Sequence, residues 1–202
     1  MWEVIPTLRK AFWRERHTMN FPSHVNVASE KREEIIDLLN TLLADSIDLH
    51  WQIKQAHWNI RGTHFYSRHL LFDDLAKHAR KQADEFAERA GTLGGYAEGT
   101  IRLAAKNSEL PEYDLKAVES EDHLKALVDR FARYAASIRG GIQRCDELEE
   151  PITVDLLTQV LGDVELDMWF LESHLNGAAR PGMRPGKGGR DAGTEPSRPT
   201  NA

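Results

Sequence analysis

The chain has 202 residues, of which 41% are hydrophobic and 29% charged, and its formal net charge is −6 at pH 7. This length and composition are typical of a soluble globular protein with one sizeable core. Its single cysteine, Cys145, excludes an intramolecular disulfide and fits a reducing compartment. Residues 1–17 lack the apolar run of a signal peptide, and no stretch reaches the length of a membrane span. We therefore expect a cytoplasmic protein without membrane contact.

The charge is unevenly distributed along the chain. Residues 1–26 contain four Lys/Arg and two Glu, and residues 178–202 contain five Lys/Arg and two Asp/Glu, so both ends are basic. The total of −6 therefore leaves −11 for residues 27–177. An acidic body is poor at binding nucleic acid over its whole surface, so any DNA contact is expected at the basic ends.

Residues 1–27 are expected to form an N-terminal arm. Aromatic side chains such as Trp2, Phe12 and Trp13 stand among helix-breaking residues. This mixture favours a short arm that packs on a neighbouring subunit. The alternative is an arm that binds metal or DNA through its basic and histidine side chains, which are Arg9, Lys10, Arg14, Arg16, His17 and His24.

Two long helices are predicted next, each with apolar residues at the 3–4 residue spacing of a core-facing stripe. The first should begin at Ser29, a suitable N-cap, and end near Gly62, because glycine is favoured just past a helix C-terminus. The second is predicted from about Ser67 to Leu93, where two glycines follow.

The second half of the chain repeats this pattern. A short helix is expected around residues 98–106, because a long structureless loop is rare in a compact domain. Two further long helices are predicted over about residues 119–145 and 153–176. The order predicts an all-α fold, a ferritin-like four-helix bundle over residues 28–177 whose long connection crosses over. Residues 178–202, rich in Gly, Pro and charge, are expected to form a flexible basic tail.

Four side chains that could bind a metal ion share one face of the second helix: His69, Asp73, Asp84 and Glu88. At about 100° per residue they point to about 0°, 40°, 60° and 100° around the axis. The two pairs lie about 22 Å apart along the helix, so one chain cannot close a single site with all four. With His57, the set of two imidazoles and three carboxylates suits Fe²⁺, Mn²⁺ or Zn²⁺.

A symmetric dimer would close such a site. A turn between the first two helices places His57 at the same end as His69, while Asp84 and Glu88 lie far along the second helix. In a two-fold dimer with antiparallel second helices, each carboxylate pair reaches the partner's histidines, because an isologous interface makes every contact twice. The spacing predicts two metal sites per dimer, each shared between subunits.

The same residues resemble the signature of a known family, the Dps proteins or mini-ferritins. The resemblance rests on HWNIRG at 57–62, Phe65, His69 with Asp73, and Asp84 followed by Glu88 and Arg89. It extends over about residues 28–177, including LGG at 93–95 and WFLES at 169–173. It implies a dodecameric shell that oxidises Fe²⁺ at ferroxidase sites between subunits and stores iron inside.

The resemblance also implies roles for individual residues. His57, with Asp84 and Glu88 of the partner subunit, would hold the more tightly bound iron, and His69 and Asp73 a second one, partly through water. Hydrogen peroxide would be the oxidant, reduced by two irons together so that hydroxyl radical is avoided, and zinc or manganese could replace iron. Acidic side chains near the start of the fourth helix would line a three-fold pore for iron, with a solvated acidic loop as the alternative: Asp146, Glu147, Glu149, Glu150 and Asp155.

Other interpretations stay open. Arg80 and Arg89 could pair with the site acids in a purely structural salt-bridge network. His50 shares the face of His57 and either binds metal or has an interface or surface role. Three further histidines are expected at the surface or an interface, namely His64, His78 and His123. The Glu-x-x-His spacing of di-iron sites inside a bundle does not occur in the sequence. The alternative function is a DNA-compacting protein of the same fold.

Overall fold

The computed structural model describes residues 21–176, which form five α-helices. These are α1 (Ser29–Asn59), α2 (Phe65–Thr92), the short α3 (Ile101–Asn107), α4 (Ser120–Glu147) and α5 (Pro151–Asn176). Residues 21–176 contain no β-strand, so the predicted all-α fold with a short extra helix in its long connection is confirmed. Residues 1–20 of the predicted arm and the predicted tail at 178–202 lie outside the described residues.

The four long helices pack in an up-down-down-up order. α1 and α2 form an antiparallel hairpin, and α4 and α5 form another across a three-residue connection. Contacts between α1 and α4 run in opposite directions along the two helices, from Glu34 with Arg144 to Gln52 with Arg130. The segment from residue 93 to 119 must therefore travel the length of the bundle, and it is the crossover predicted from the sequence.

Large apolar side chains fill the space between the helices. Phe72 and Phe86 of α2 and Phe131 and Tyr134 of α4 are fully or almost fully buried, together with aliphatic residues from all four long helices. Burying one such side chain contributes about 1.5–3 kcal/mol to folding. The apolar spacing seen in the sequence is thus the core-facing stripe of each helix.

Polar side chains on α1 make hydrogen bonds to the backbone of the crossover segment. Asn40 bonds to both Tyr96 O and Glu98 N, and Gln52 donates to Pro111 O. Between them, buried Asp45 accepts from the backbone N–H of Glu109 at 2.7 Å. Burial raises the pKa of Asp45 to about 6, with the hydrogen bonds opposing that rise. Each bond satisfies a backbone group of the crossover that is at least partly shielded from water.

The far end of α2 closes against the start of the described chain. Gly94 has φ +87, and its N–H bonds to Gly91 O, so it ends the helix in the left-handed conformation that glycine favours. Phe21 N donates to Gly94 O at 2.7 Å. A Cβ on Gly94 would lie 2.6 Å from Phe21 O, so the two backbones meet where only glycine fits.

Several predicted helix boundaries shift by a few residues. Ser29 is not the N-cap of α1: Ala28 occupies that position, and no side chain caps the helix. α1 ends at Asn59 rather than Gly62, and α2 begins at Phe65 rather than Ser67. The turn therefore lies about two residues earlier than predicted, at residues 60–64. Gly62 (φ +87) and His64 (φ +63) both adopt left-handed conformations within it.

Candidate metal centre

His57 and His69 meet at the end of the α1–α2 hairpin. Their rings stack with centroids 3.7 Å apart and an interplanar angle of 22°. His57 Nδ1 lies 2.8 Å from His69 O, and His69 Nδ1 lies 2.9 Å from His57 O. Two reciprocal hydrogen bonds therefore hold the two side chains in a fixed relation.

These bonds determine which ring nitrogen of each histidine can bind a metal. A carbonyl oxygen only accepts hydrogen bonds, so both Nδ1 atoms carry the hydrogen, and in a neutral ring Nε2 keeps the lone pair. Burial lowers the pKa of His57; the nearby charge of Lys54 lowers it further, while the bond to His69 O opposes the shift. His57 is thus favoured in its neutral, metal-binding form.

The local backbone explains why the pair forms. α1 ends at Asn59, so the carbonyl groups of its last turn have no partner further along the helix. His57 O is one of these groups and accepts from the incoming His69. The turn at residues 60–64 is short enough to bring the start of α2 directly against this last turn.

Asp73 stands one turn beyond His69 but is engaged by two lysines. Lys54 Nζ lies 2.9 Å from its Oδ1 and Lys77 Nζ 3.1 Å from its Oδ2. Hydrogen bonds from these two ammonium groups lower the pKa of Asp73 to about 2. A metal ion that binds Asp73 must therefore compete with Lys54 and Lys77. Nothing in the predicted ligand spacing pointed to Lys54, although it lies three residues before His57 on the same helix.

Asp84 and Glu88 are not brought to the histidines within one chain. Both side chains are exposed on α2, about 22 Å and more from His69 along the helix. Neither has a hydrogen-bond or ion-pair partner among residues 21–176. Over the same residues, no group of three or more His, Cys, Asp or Glu side chains comes together to hold a metal. A single chain presents a histidine half and a carboxylate half, and it does not join them.

His50 makes a similar contact about two helical turns before His57, with its ring against a backbone carbonyl of α2. Its Nδ1 lies 2.7 Å from Ala76 O, and its ring packs edge-on against Trp51 at 5.1 Å between centroids. The side chain is partly buried between α1 and α2. The surface or subunit-interface role and the metal-binding role both stay predictions; within this chain His50 packs between the two helices.

Two of the other histidines are not simple surface residues. His123 is 1% exposed, and its Nδ1 lies 2.7 Å from the hydroxyl of Tyr113. The prediction that His123 lies at the surface or an interface is therefore wrong, because the side chain is buried inside the chain. The crossover covers it, which helical spacing alone does not reveal. His78 is half-exposed and pairs with buried Asp167 of α5.

The acidic residues near the start of α5 do not behave alike. Glu150 is 3% exposed, accepts from Thr153 N at 2.8 Å and lies 3.0 Å from Arg89 Nη2. Its predicted role in lining a pore is wrong, because it is buried where α2 meets α5. Arg89 is thereby committed to Glu150 rather than to Asp84 or Glu88. The remaining members are exposed, namely Asp146, Glu147, Glu149 and Asp155.

Comparison with known proteins identifies relatives over the same helical region. None of the described helices is long and apolar enough to cross a membrane. A family model described as a ferritin-like domain matches residues 36–180. The chain is 35% identical over 150 residues to the DNA protection during starvation protein of Agrobacterium fabrum, an alignment that covers 74% of this chain and 93% of that relative.

The chain belongs to the Dps family of ferritin-like proteins. Solved Dps structures agree with this assignment. DpsA14 from Streptomyces coelicolor superimposes with a TM-score of 0.74 at 29% identity, over 78% of this chain and 94% of that one. Mycobacterium smegmatis Dps in its tetragonal form gives a TM-score of 0.72 at 30% identity, over 77% and 92% of the two chains. The predicted family and bundle are both confirmed.

Proposed function

We propose that this Dps chain is an iron store that oxidises Fe²⁺ at ferroxidase centres shared between two subunits of a dodecameric shell. The observation that carries the proposal is the His57–His69 pair. Its two Nε2 lone pairs are oriented for a metal, while the carboxylates Asp84 and Glu88 are exposed elsewhere on the same helix face and have no partner among residues 21–176. A ligand set divided in this way is complete only when two chains combine.

A two-fold axis across α2, midway between Asp73 and Asp84, would join the two halves. The antiparallel partner helix would then place Asp84 and Glu88 of the partner subunit beside His57 and His69, twice per dimer. Large apolar side chains surround the histidines and are exposed in the single chain: Trp51, Trp58, Phe65, Tyr66 and Leu70. An exposed apolar patch of this kind favours an interface at this end of the hairpin.

Fe²⁺ is the substrate in this proposal. Neutral His57 would bind one ion together with Asp84 and Glu88 of the partner subunit, and the carboxylates favour Fe³⁺ because the higher charge gains more Coulomb energy. His69 and Asp73 would hold a second ion less tightly, because Lys54 already occupies Asp73. Each Fe²⁺ gives up one electron, and one hydrogen peroxide takes both electrons and two protons to become two water molecules. The Fe³⁺ product is then stored as mineral inside the shell.

Mixed assemblies test whether the centre is shared. Chains with His57→Ala lack the histidine half, and chains with Asp84→Ala/Glu88→Ala lack the carboxylate half. A mixed dimer then has one doubly damaged centre and one intact centre. About half the parent's peroxide-dependent Fe²⁺ oxidation per mixed dimer should return, although each variant alone is inactive.

A matched control uses two histidine-side variants. Mixing His57→Ala with His69→Ala chains leaves no centre intact, so activity should stay absent in those assemblies. No recovery in confirmed mixtures of the first kind would mean that each chain builds its own centre. Parent-like activity of His57→Ala and Asp84→Ala alone would defeat the ferroxidase proposal itself.

DNA binding is the second candidate function. The Agrobacterium fabrum relative is named a DNA protection during starvation protein. In this chain the basic ends carry the required charge, with Arg180, Arg184, Lys187 and Arg190 close together in the C-terminal segment. Repetition of weak phosphate contacts over many subunits would give avidity. The negative charge of residues 27–177 repels DNA, so we propose that the tails bind DNA weakly and in a salt-sensitive way.

A further inference from the structure

A buried carboxylate on α5 is aimed at a histidine on α2, away from the candidate centre. Asp167 is 2% exposed, and both of its carboxylate oxygens lie 3.0 Å from His78 Nδ1. Burial raises the pKa of Asp167, and the hydrogen bond from His78 opposes that rise. Burying a carboxylate costs free energy unless the charge is paired, and His78 is the partner of Asp167.

The pair determines the tautomer of His78. An ionised carboxylate only accepts hydrogen bonds, so Nδ1 carries the hydrogen and Nε2 of the neutral ring keeps a lone pair. A metal-binding histidine typically donates its other N–H to a carboxylate in this way, which orients the ring and makes it a better ligand. The His78 side chain is 51% exposed, so solvent and ions reach the rest of the ring.

His78 lines an open cavity of about 230 Å³ between α2 and α5. Its other lining residues are Lys81, Gln82, Asp163, Leu166 and Asp167. Asp163 lies one helical turn before Asp167, and its negative charge acts on both Asp167 and Lys81. The ammonium of Lys81 is held 3.0 Å from Glu85. Two carboxylates therefore line the cavity, and its one ammonium is already paired with a third, so the cavity attracts cations rather than anions.

We propose that His78 Nε2 and the Asp163 carboxylate bind a divalent transition-metal ion, with Asp167 as the positioning residue behind His78. One imidazole nitrogen and one carboxylate suit Fe²⁺, Mn²⁺ or Zn²⁺ better than Mg²⁺ or Ca²⁺. The remaining coordination positions belong to water. Two protein ligands make a weak, rapidly exchanging site.

This site is separate from the His57–His69 centre. At about 100° per residue, His78 points about 180° away from His69 around α2, and it lies about 14 Å further along the axis. It faces α5 rather than α1. Binding here does not require that the chain oxidise iron, so the proposal does not depend on the ferroxidase function.

Zinc binding to the full-length assembled protein tests the proposal. The parent for this test carries His57→Ala, His69→Ala, Asp84→Ala and Glu88→Ala, which removes both proposed metal positions of the interface centre from the measurement. Calorimetric titration with Zn²⁺ should show one binding site per chain that weakens at least about tenfold in His78→Gln and in Asp163→Asn. His174→Gln is the matched control, because His174 is an exposed histidine of α5 whose Nδ1 bonds to Phe170 O within its own helix.

Asp167→Asn separates positioning from a purely structural role. With Cu²⁺ as the probe, pulsed electron paramagnetic resonance detects the imidazole nitrogen that does not bind the metal. Its signal depends on the hydrogen bond which that nitrogen makes, here the bond from His78 Nδ1 to Asp167. We expect that signal in the parent, its loss in His78→Gln and its change in Asp167→Asn, together with weaker Zn²⁺ binding. Equal Zn²⁺ binding by the parent and His78→Gln would overturn the proposal and leave His78–Asp167 as a clasp between α2 and α5.

Discussion

The two ends of α2 differ in how far one chain completes them. At the N-terminal end, His69 is stacked on His57, and each ring is fixed by a bond to the other's carbonyl oxygen. Toward the C-terminal end, Asp84 and Glu88 are exposed, and neither has a hydrogen-bond or ion-pair partner among residues 21–176. One end is organised by the fold of a single chain, and the other is available to a second chain.

This difference follows the chemistry of the two ligand types. An imidazole has two unlike nitrogens, and only a specific hydrogen bond decides which of them faces the metal. A carboxylate has two equivalent oxygens and needs less orientation before it binds. The chain therefore stabilises the ligands that must be oriented, and the carboxylates can be supplied across an interface.

Removing either half should abolish activity but affect stability differently. We expect peroxide-dependent Fe²⁺ oxidation to fall at least about 100-fold in both His57→Ala and Asp84→Ala/Glu88→Ala, since even partners that only support a ligand cost 10–100-fold. His57→Ala should also lower the free energy of unfolding by about 1 kcal/mol through its lost hydrogen bond. The carboxylate variant should unfold at the parent's urea concentration. An equal loss of stability in both would contradict the division.

Lys54→Met should strengthen the second metal position. The substitution removes the ammonium 2.9 Å from Asp73 Oδ1 while keeping a side chain of similar length. With one oxygen of Asp73 released, we expect about tenfold tighter binding of a second Zn²⁺ per centre, measured by calorimetry. Lys31→Met is the control, because Lys31 pairs with Glu149 at the opposite end of the bundle. Weaker binding in Lys54→Met would instead show that Lys54 positions Asp73 for the metal.

Asp73→Asn should remove part of the acid sensitivity of the fold. Its pKa is lowered from 3.8 to about 2 by Lys54 and Lys77, so its ion pairs stabilise the folded state above pH 3.8. That contribution is lost as the pH falls through about 2. We expect the parent's stability to decrease more steeply than that of Asp73→Asn across this window, by a small amount because the carboxylate is partly exposed. Parallel acid-unfolding curves by circular dichroism would contradict this.

The smallest effect is expected for DNA binding, and it concerns the two ends of the bundle. α5 ends at Asn176 on the histidine side, where Ser120 meets Arg68, and the described N-terminal segment lies against Gly94 on the opposite side. A chain that stops at Ala179 should lose most of a weak gel shift seen at low salt, and full-length protein should lose it at physiological salt. If the truncated chain shifts DNA equally, the tail is not the binding element.

Much of the fold was predictable because helical periodicity is a local property. The apolar spacing located the four long helices, and the glycines at 94–95 located the end of α2. The ligand candidates were also visible, since residues one or two turns apart share a helix face whatever surrounds them. The spacing further predicted that one chain cannot close a single site with His69, Asp73, Asp84 and Glu88, and no such group comes together among residues 21–176.

The partners of these side chains were decided by contacts between distant parts of the chain. Periodicity places His57 and His69 on one side of a hairpin, but only the packed turn brings each Nδ1 onto the other's carbonyl oxygen. Lys54 joins Asp73, Arg89 joins Glu150 and His78 joins Asp167, and each pair bridges separate helices or segments. A sequence specifies which face a residue occupies, because that depends on the helix alone. Which partner it meets depends on how the helices pack, so only the tertiary structure could decide it.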